Sequence, residues 1–151
     1  MSWASTVPAA VEALVAAFTD ALPDAVVRDG PVVTSSGAQE VVTVGYTGTE
    51  GENAVEGTLR VQGLAVSPSR ETYTVWCAAS VARGSGDIAK ARAAAYGLLA
   101  GCGAALAADQ TLGGPVMSAR LGDARLVQSK TPKSAAVTVV FGVDVDAYSV
   151  R

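Results

Sequence analysis

Residues Ala135–Tyr148 alternate almost without a break, and that alternation restricts the fold more than any other stretch. Ala135, Val137, Val139, Phe141, Val143, Val145 and Ala147 project to one side, with Thr138, Asp144, Asp146 and Tyr148 on the other. Successive side chains of a β-strand point to opposite faces, so the run is a long strand with one apolar face. Glu71–Ala82 repeats the pattern: Tyr73, Val75, Cys77, Ala79 and Val81 share one face, and Thr72, Thr74, Trp76 and Ser80 the other. Strands of this kind form a sheet that must be covered on one side.

The cover is legible in two helical segments. Pro8–Leu22 sets Val11, Leu14, Val15, Phe18 and Leu22 at three- and four-residue spacing, with Pro8 suited to a first turn and Pro23 ending the helix. Arg83-Gly84-Ser85-Gly86-Asp87 breaks the second strand and offers Ser85 or Asp87 as a helix cap. From Ile88 to Ala108 the stripe Ile88, Ala91, Ala95, Leu99, Cys102 and Leu106 faces a core. Gly97, Gly101 and Gly103 each cost that helix ~1 kcal/mol relative to Ala. So many glycines imply the close approach of another backbone, most simply a sheet beneath.

Shorter signals fill in the order. Ala25–Arg28 reads as a short strand entering the turn Asp29-Gly30, and Gln39–Thr47 as a Val-rich strand. The polar, Gly-rich loop Gly48–Asn53 follows; then Val55–Leu64 alternates, and Ser67-Pro68-Ser69 turns the chain. After the second helix, Asp109-Gln110 leads into the turn Thr111-Leu112-Gly113-Gly114-Pro115. Val116–Gln128 is a strand or hairpin with Gly122-Asp123 as a bulge or turn, and Thr131-Pro132-Lys133 turns again. The expected fold is α+β in the order α-β-β-β-α-β-β, a mostly antiparallel sheet with two helices packed on one face, forming a single domain over residues 1–151.

Composition narrows the function classes. Half of the 151 residues are hydrophobic, enough for one core, yet only 17% are charged. A surface so poor in charge leaves small-residue area to be covered, and a repeating subunit interface is the simplest cover. The net charge is −3 and no run of like charge occurs, so nucleic-acid phosphates find no basic cluster. Lys130, Lys133, Arg120 and Arg125 come nearest to one. Mild acidity suits a pore through which DNA slides without sticking.

Candidate chemistry is thin. There is no histidine, which removes the commonest general base and metal ligand together. Gly84-Ser85-Gly86 lacks the spacing of a nucleophile elbow, and the glycines of Gly97–Gly103 lie within a helix rather than at its start, where a phosphate would bind. Asp144 and Asp146 share a strand face about 7 Å apart, without further converging oxygens; a solvated strand face is the expected meaning. Cys77 and Cys102 fall on apolar faces and are expected to be buried thiols. Ala93–Ala108 is uncharged but would span only roughly 24 Å, short of a bilayer core, and the first residues lack the basic segment of a secretory signal. We expect no enzyme, metal, cofactor or membrane contact.

The arrangement of these elements resembles the tail-terminator proteins of long-tailed bacteriophages. The likeness lies in the helix Pro8–Leu22, the strand Val41–Tyr46, the helix from Asp87–Arg92 to Asp109, and Leu112-Gly113-Gly114 before the last strands. It implies a virion tail protein, assembled in the bacterial host cytoplasm, that forms a six-membered ring, ends tail-tube growth and joins tail to head. Implied partners are further copies of itself, the tail-tube protein and a head–tail connector, with DNA passing through unbound. A cyclic ring needs two different patches on each subunit. Gly48–Val55 and Gly122–Lys133 are the expected contact segments, with Glu50, Glu52, Asn53, Asp123, Arg125, Lys130 and Lys133 as the candidate residues. Alternatives are another tail or tail-like component (tube subunit, connector, cap of a contractile injection device) or a small cytoplasmic binding domain.

Overall fold

The structure, a computed structural model, describes residues 4–31, 40–60 and 69–149. Gln39, residues 61–64 of the strand expected after Val55, and the turn residues Ser67 and Pro68 lie outside the described residues. In chain order the elements are α1 (Val7–Ala21), β1 (Val26–Asp29), β2 (Glu40–Val44), β3 (Val55–Arg60), β4 (Arg70–Arg83), α2 (Ile88–Ala108), β5 (Ser118–Thr131) and β6 (Ser134–Tyr148). The α+β class holds, and the short Val26–Asp29 run stands as a strand of its own ahead of the three longer ones.

One six-stranded sheet runs in the order β1-β2-β4-β6-β5, with β3 beside β2 on the remaining half of β4. The two alternating runs are its centre: β4 and β6 pair antiparallel along their whole length, from Arg70↔Tyr148 to Arg83↔Ala135. Their registers align the apolar faces, so Val75 meets Val143 and Cys77 meets Phe141. β1 and β2 pair in parallel, the single departure from antiparallel order among the described strands.

Both helices lie on the apolar face. Ala10, Leu14 and Phe18 of α1 are fully buried, with the Phe18 ring 6.4 Å from that of Phe141. α2 buries Ala91, Ala95, Leu98, Cys102 and Leu106. Leu98 takes the deeply buried place expected for Leu99, which packs only partly against the core. By length and apolarity α2 is able to cross a membrane; here it lies along the sheet.

The glycines of α2 answer only in part to the expected close approach. A Cβ at Gly101 would meet the Leu22 side chain at 2.5 Å and one at Gly103 the Leu121 side chain at 3.0 Å, while one at Gly97 would meet nothing. The neighbours are therefore side chains of the α1 terminus and β5, not another backbone.

Two local devices fix the ends of the helices. Asp87 caps α2, its carboxylate accepting from the Lys90 N–H at 3.1 Å. Asp109 ends it, accepting from the Thr111 hydroxyl (2.8 Å), the Thr111 N–H (3.2 Å) and the Gly113 N–H (2.8 Å). The Thr111 hydroxyl and these amides hold the Asp109 carboxyl below the usual range. The turn needs left-handed backbone at Leu112, Gly113 and Gly114 in succession, which explains the glycine pair. Leu112 is anchored there by burial.

Candidate assembly surface

With both helices on one side, the other face of the sheet is left, among the described residues, to residues 45–54. This loop leaves β2 and folds across the face. Gly45 N–H donates to the Trp76 carbonyl at 2.7 Å, and Trp76 N–H to the Ala54 carbonyl at 2.9 Å. Between those anchors, Glu52 reaches past β6 to Arg125 of β5, Oε2 to Nη2 at 3.0 Å. Arg125 is on this face because the register shift between Leu121 and Ala124 sets it opposite Val140. On the same face Ala78, Val140 and Thr43 are buried, and the Thr43 hydroxyl donates to the Tyr46 carbonyl of the loop at 3.1 Å. The adjacent Thr47 hydroxyl and the Arg125 guanidinium lower the Glu52 carboxyl below its usual range.

Beside the loop lies a shallow groove of about 450 Å³, lined by Glu56, Arg70, Thr74, Arg120, Asp144 and Asp146 among others. Asp146 forms a two-pronged pair with Arg70, Nε to Oδ1 at 3.0 Å and Nη2 to Oδ2 at 2.6 Å. That pairing holds the Asp146 carboxyl below its usual range against the opposing effect of burial, with Arg120 adding to it. Asp144 accepts from the Thr74 hydroxyl at 2.8 Å. Its carboxylate lies over Gly122, where any Cβ would collide with it. The two aspartates do share a face, but one is neutralised by an arginine and the other is tied to a hydroxyl. Among the described residues no group of three or more His, Cys, Asp or Glu gathers to hold a metal.

The sheet ends on this side in β5. Gly122–Asp123 is a bulge within one strand rather than the turn of a hairpin, and the run expected over Val116–Gln128 is the single long strand Ser118–Thr131. Every residue from Gly122 to Ser134 is exposed, including Leu126 and Val127, at 37% and 55%. Among the described residues β5 pairs with β6 alone, so its outer edge is open.

The candidate residues divide as follows. Glu52 and Arg125, chosen from separate segments, meet in the ion pair that ties loop 45–54 to β5. Glu50 is exposed on that loop, and Asn53 lines a small cleft beside Trp76. Asp123 sits in the bulge, and Lys130 and Lys133 are exposed at the β5–β6 turn. Residues that the sequence did not single out are Arg70, Glu71 and Trp76. Glu71 is buried and joins β4 to the start of α1, accepting from Ser5 Oγ (2.6 Å), Thr6 N–H (2.8 Å) and Thr6 Oγ1 (3.0 Å). Tyr73 extends the cluster through its hydroxyl, 2.9 Å from Thr6 Oγ1, and burial pushes its phenol up. No local signal marks such a partner, since Glu71 and Thr6 are 65 residues apart.

Both thiols are free and buried, and burial pushes that of Cys102 up to about 12 and that of Cys77 higher still.

No family model matches the chain, and no curated protein sequence matches it. Among solved structures, it is similar to one chain of a structure described as the virion of a native gene transfer agent (GTA) particle. That chain is 14% identical; the match covers 91% of this chain and 92% of that chain with a TM-score of 0.49.

Proposed function

We propose that the protein is a structural component of a phage tail: a terminator that forms a ring on the end of the tail tube, stops its growth and provides the joint to the head. The observation that carries an assembly role is the open β5 edge. A 14-residue strand with an unpaired edge is a template for another chain, and proteins that remain alone blunt or cover such edges. The bulge at Gly122–Asp123 blunts only part of this one, and Leu126 and Val127 remain exposed beyond it. The particular role of terminator is supported by the family resemblance in the first helix, the Leu112-Gly113-Gly114 turn and the closing strands. The reading includes no catalytic role. In keeping with this, the Asp146 carboxylate is occupied by Arg70 and both thiols are buried.

A tube subunit is the second reading, favoured by β1 and β5 both being open to sheet continuation among the described residues. Negative-stain microscopy of the protein, alone and with the tail-tube protein of the same particle, separates the two. Single rings that cap tubes and fix their length are the expected result. Tubes built from this chain alone would replace the terminator with a tube subunit, and a monomer indifferent to tubes would remove both.

A further inference from the structure

Among the described residues the sheet has two open ends, β1 and β5, and they carry opposite charge. Four strand spacings separate them, roughly 19 Å. At one end, α1 and β1 with the turn between them carry Glu12, Asp20, Asp24 and Asp29 against Arg28 alone, all exposed. At the other, β5 and its turn to β6 carry Arg120, Arg125, Lys130 and Lys133 against Asp123 alone, also all exposed. Glu52 offsets Arg125, and Arg120 lies near Asp146, so the uncompensated charge sits at Lys130 and Lys133. Arg92 of α2 extends this corner, its Nη1 donating to Gln128 Oε1 at 3.4 Å. No salt bridge among the described residues involves Lys130, Lys133, Asp20 or Asp24.

We infer that copies of this chain associate head to tail, the basic β5–β6 hairpin of one seating on the acidic α1–β1 edge of the next. Charge decides the symmetry. β1 and β5 are opposite edges of the sheet, so a two-fold contact made edge to edge would set an edge against its own copy, lysines on lysines or aspartates on aspartates, and like charges in contact are costly. Edge to edge, a heterologous contact pairs the two signs, and such contacts close into rings or run on as filaments. Apolar area accompanies the charge: Leu126 and Val127 are exposed on the hairpin, and Val26 and Val27 are half-buried on β1. The closing of this contact into a ring rests on the terminator reading; the pairing of the two edges does not.

Two reversed variants test the pairing, Lys130→Glu with Lys133→Glu on the hairpin and Asp20→Lys with Asp24→Lys on the opposite edge. All four positions are exposed, and unchanged unfolding midpoints will show that both variants fold. In sedimentation at low ionic strength, wild-type association should weaken as salt is added. Each variant alone should associate roughly tenfold or more weakly. Mixed in equal amounts, the two should recover association, because every hairpin then meets an edge of opposite sign. Assemblies in the mixture alternate, which an even-numbered ring allows.

Reversals that leave association unchanged, or a mixture that fails to recover it, overturn the inference. If wild type and both variants still form capping rings on tubes, the terminator reading stands and this pairing falls. A wild-type chain that stays monomeric alone and on tubes removes both. Should the hairpin reversal abolish binding to a DNA duplex and leave self-association intact, the basic corner is a nucleic-acid contact and the inference fails.

Discussion

The carboxylate of Glu71 is the group through which β4 holds the first helix, and the register of β4 explains how an acidic residue comes to be buried. Glu71 lies on the apolar face of the sheet, two residues before Tyr73. Three donors from Ser5 and Thr6 meet it there, at the helix end where unpaired N–H groups favour negative charge. Thr6 makes no side-chain cap of its own, so the strand supplies what the local sequence does not. Glu71→Ala leaves buried donors without a partner and should cost about 2–3 kcal/mol in urea unfolding. Glu71→Gln, which keeps an acceptor, should cost less. The exposed face offers a contrasting carboxylate in Asp146. Its pKa is lowered on folding by the Arg70 pairing, so its contribution is present above the unfolded value of about 3.9 and is lost as pH falls through the lower folded value. Stability should therefore decline on acidification below about pH 5. Asp146→Asn should reduce stability at pH 7 and flatten part of that decline, as read from unfolding midpoints across the range.

At the scale of the element, α2 shows what glycine spacing does and does not reveal. Three glycines look alike in sequence, but Gly97 faces open space whereas Gly101 lies against Leu22. Gly97→Ala should stabilise the protein by about 0.5–1 kcal/mol through helix propensity. Gly101→Ala has the same propensity gain, but Leu22 must move to admit the new methyl group, so it should gain less or lose stability. Thermal unfolding of the two variants side by side checks the contrast; equal stabilisation would mean that the Leu22 contact carries no weight. Periodicity, a local property, made the helices and the central strands legible to within a residue or two. Val7–Ala21 was expected as Pro8–Leu22, and Ser134–Tyr148 as Ala135–Tyr148. Pairing is non-local and left no such trace. That β1 runs parallel to β2, that β3 shares β4 with β2, and that residues 118–131 form one bulged strand all depend on partners far along the chain. The candidate surface divides in the same way: its irregular, polar segments were legible, while the Glu52–Arg125 tie joining them spans 73 residues.

The whole molecule is a one-sided sheet, and its two faces follow different rules. Helices bury one face, and there a substitution acts on stability first. The other face and the β5 edge are held by surface ion pairs and by loop 45–54, so a change there acts on whatever meets the surface. Val127 separates the two effects. It is 55% exposed on β5, opposite Thr138, and points to the face without helices. A glutamate at that position loses almost no buried apolar area, and surface changes of this kind usually stay within about 0.5 kcal/mol. Charge on an open strand edge does oppose the approach of another strand, and it is how natural proteins keep such edges from pairing. Val127→Glu should therefore leave the unfolding midpoint unchanged while reducing self-association and tube capping, measured by sedimentation and microscopy on the same preparation. If the variant assembles as the wild type does, the β5 edge is not part of the contact, and the assembly surface must be sought on the exposed side of α2. If it unfolds early instead, Val127 belongs to the core and the division between the two faces is wrong.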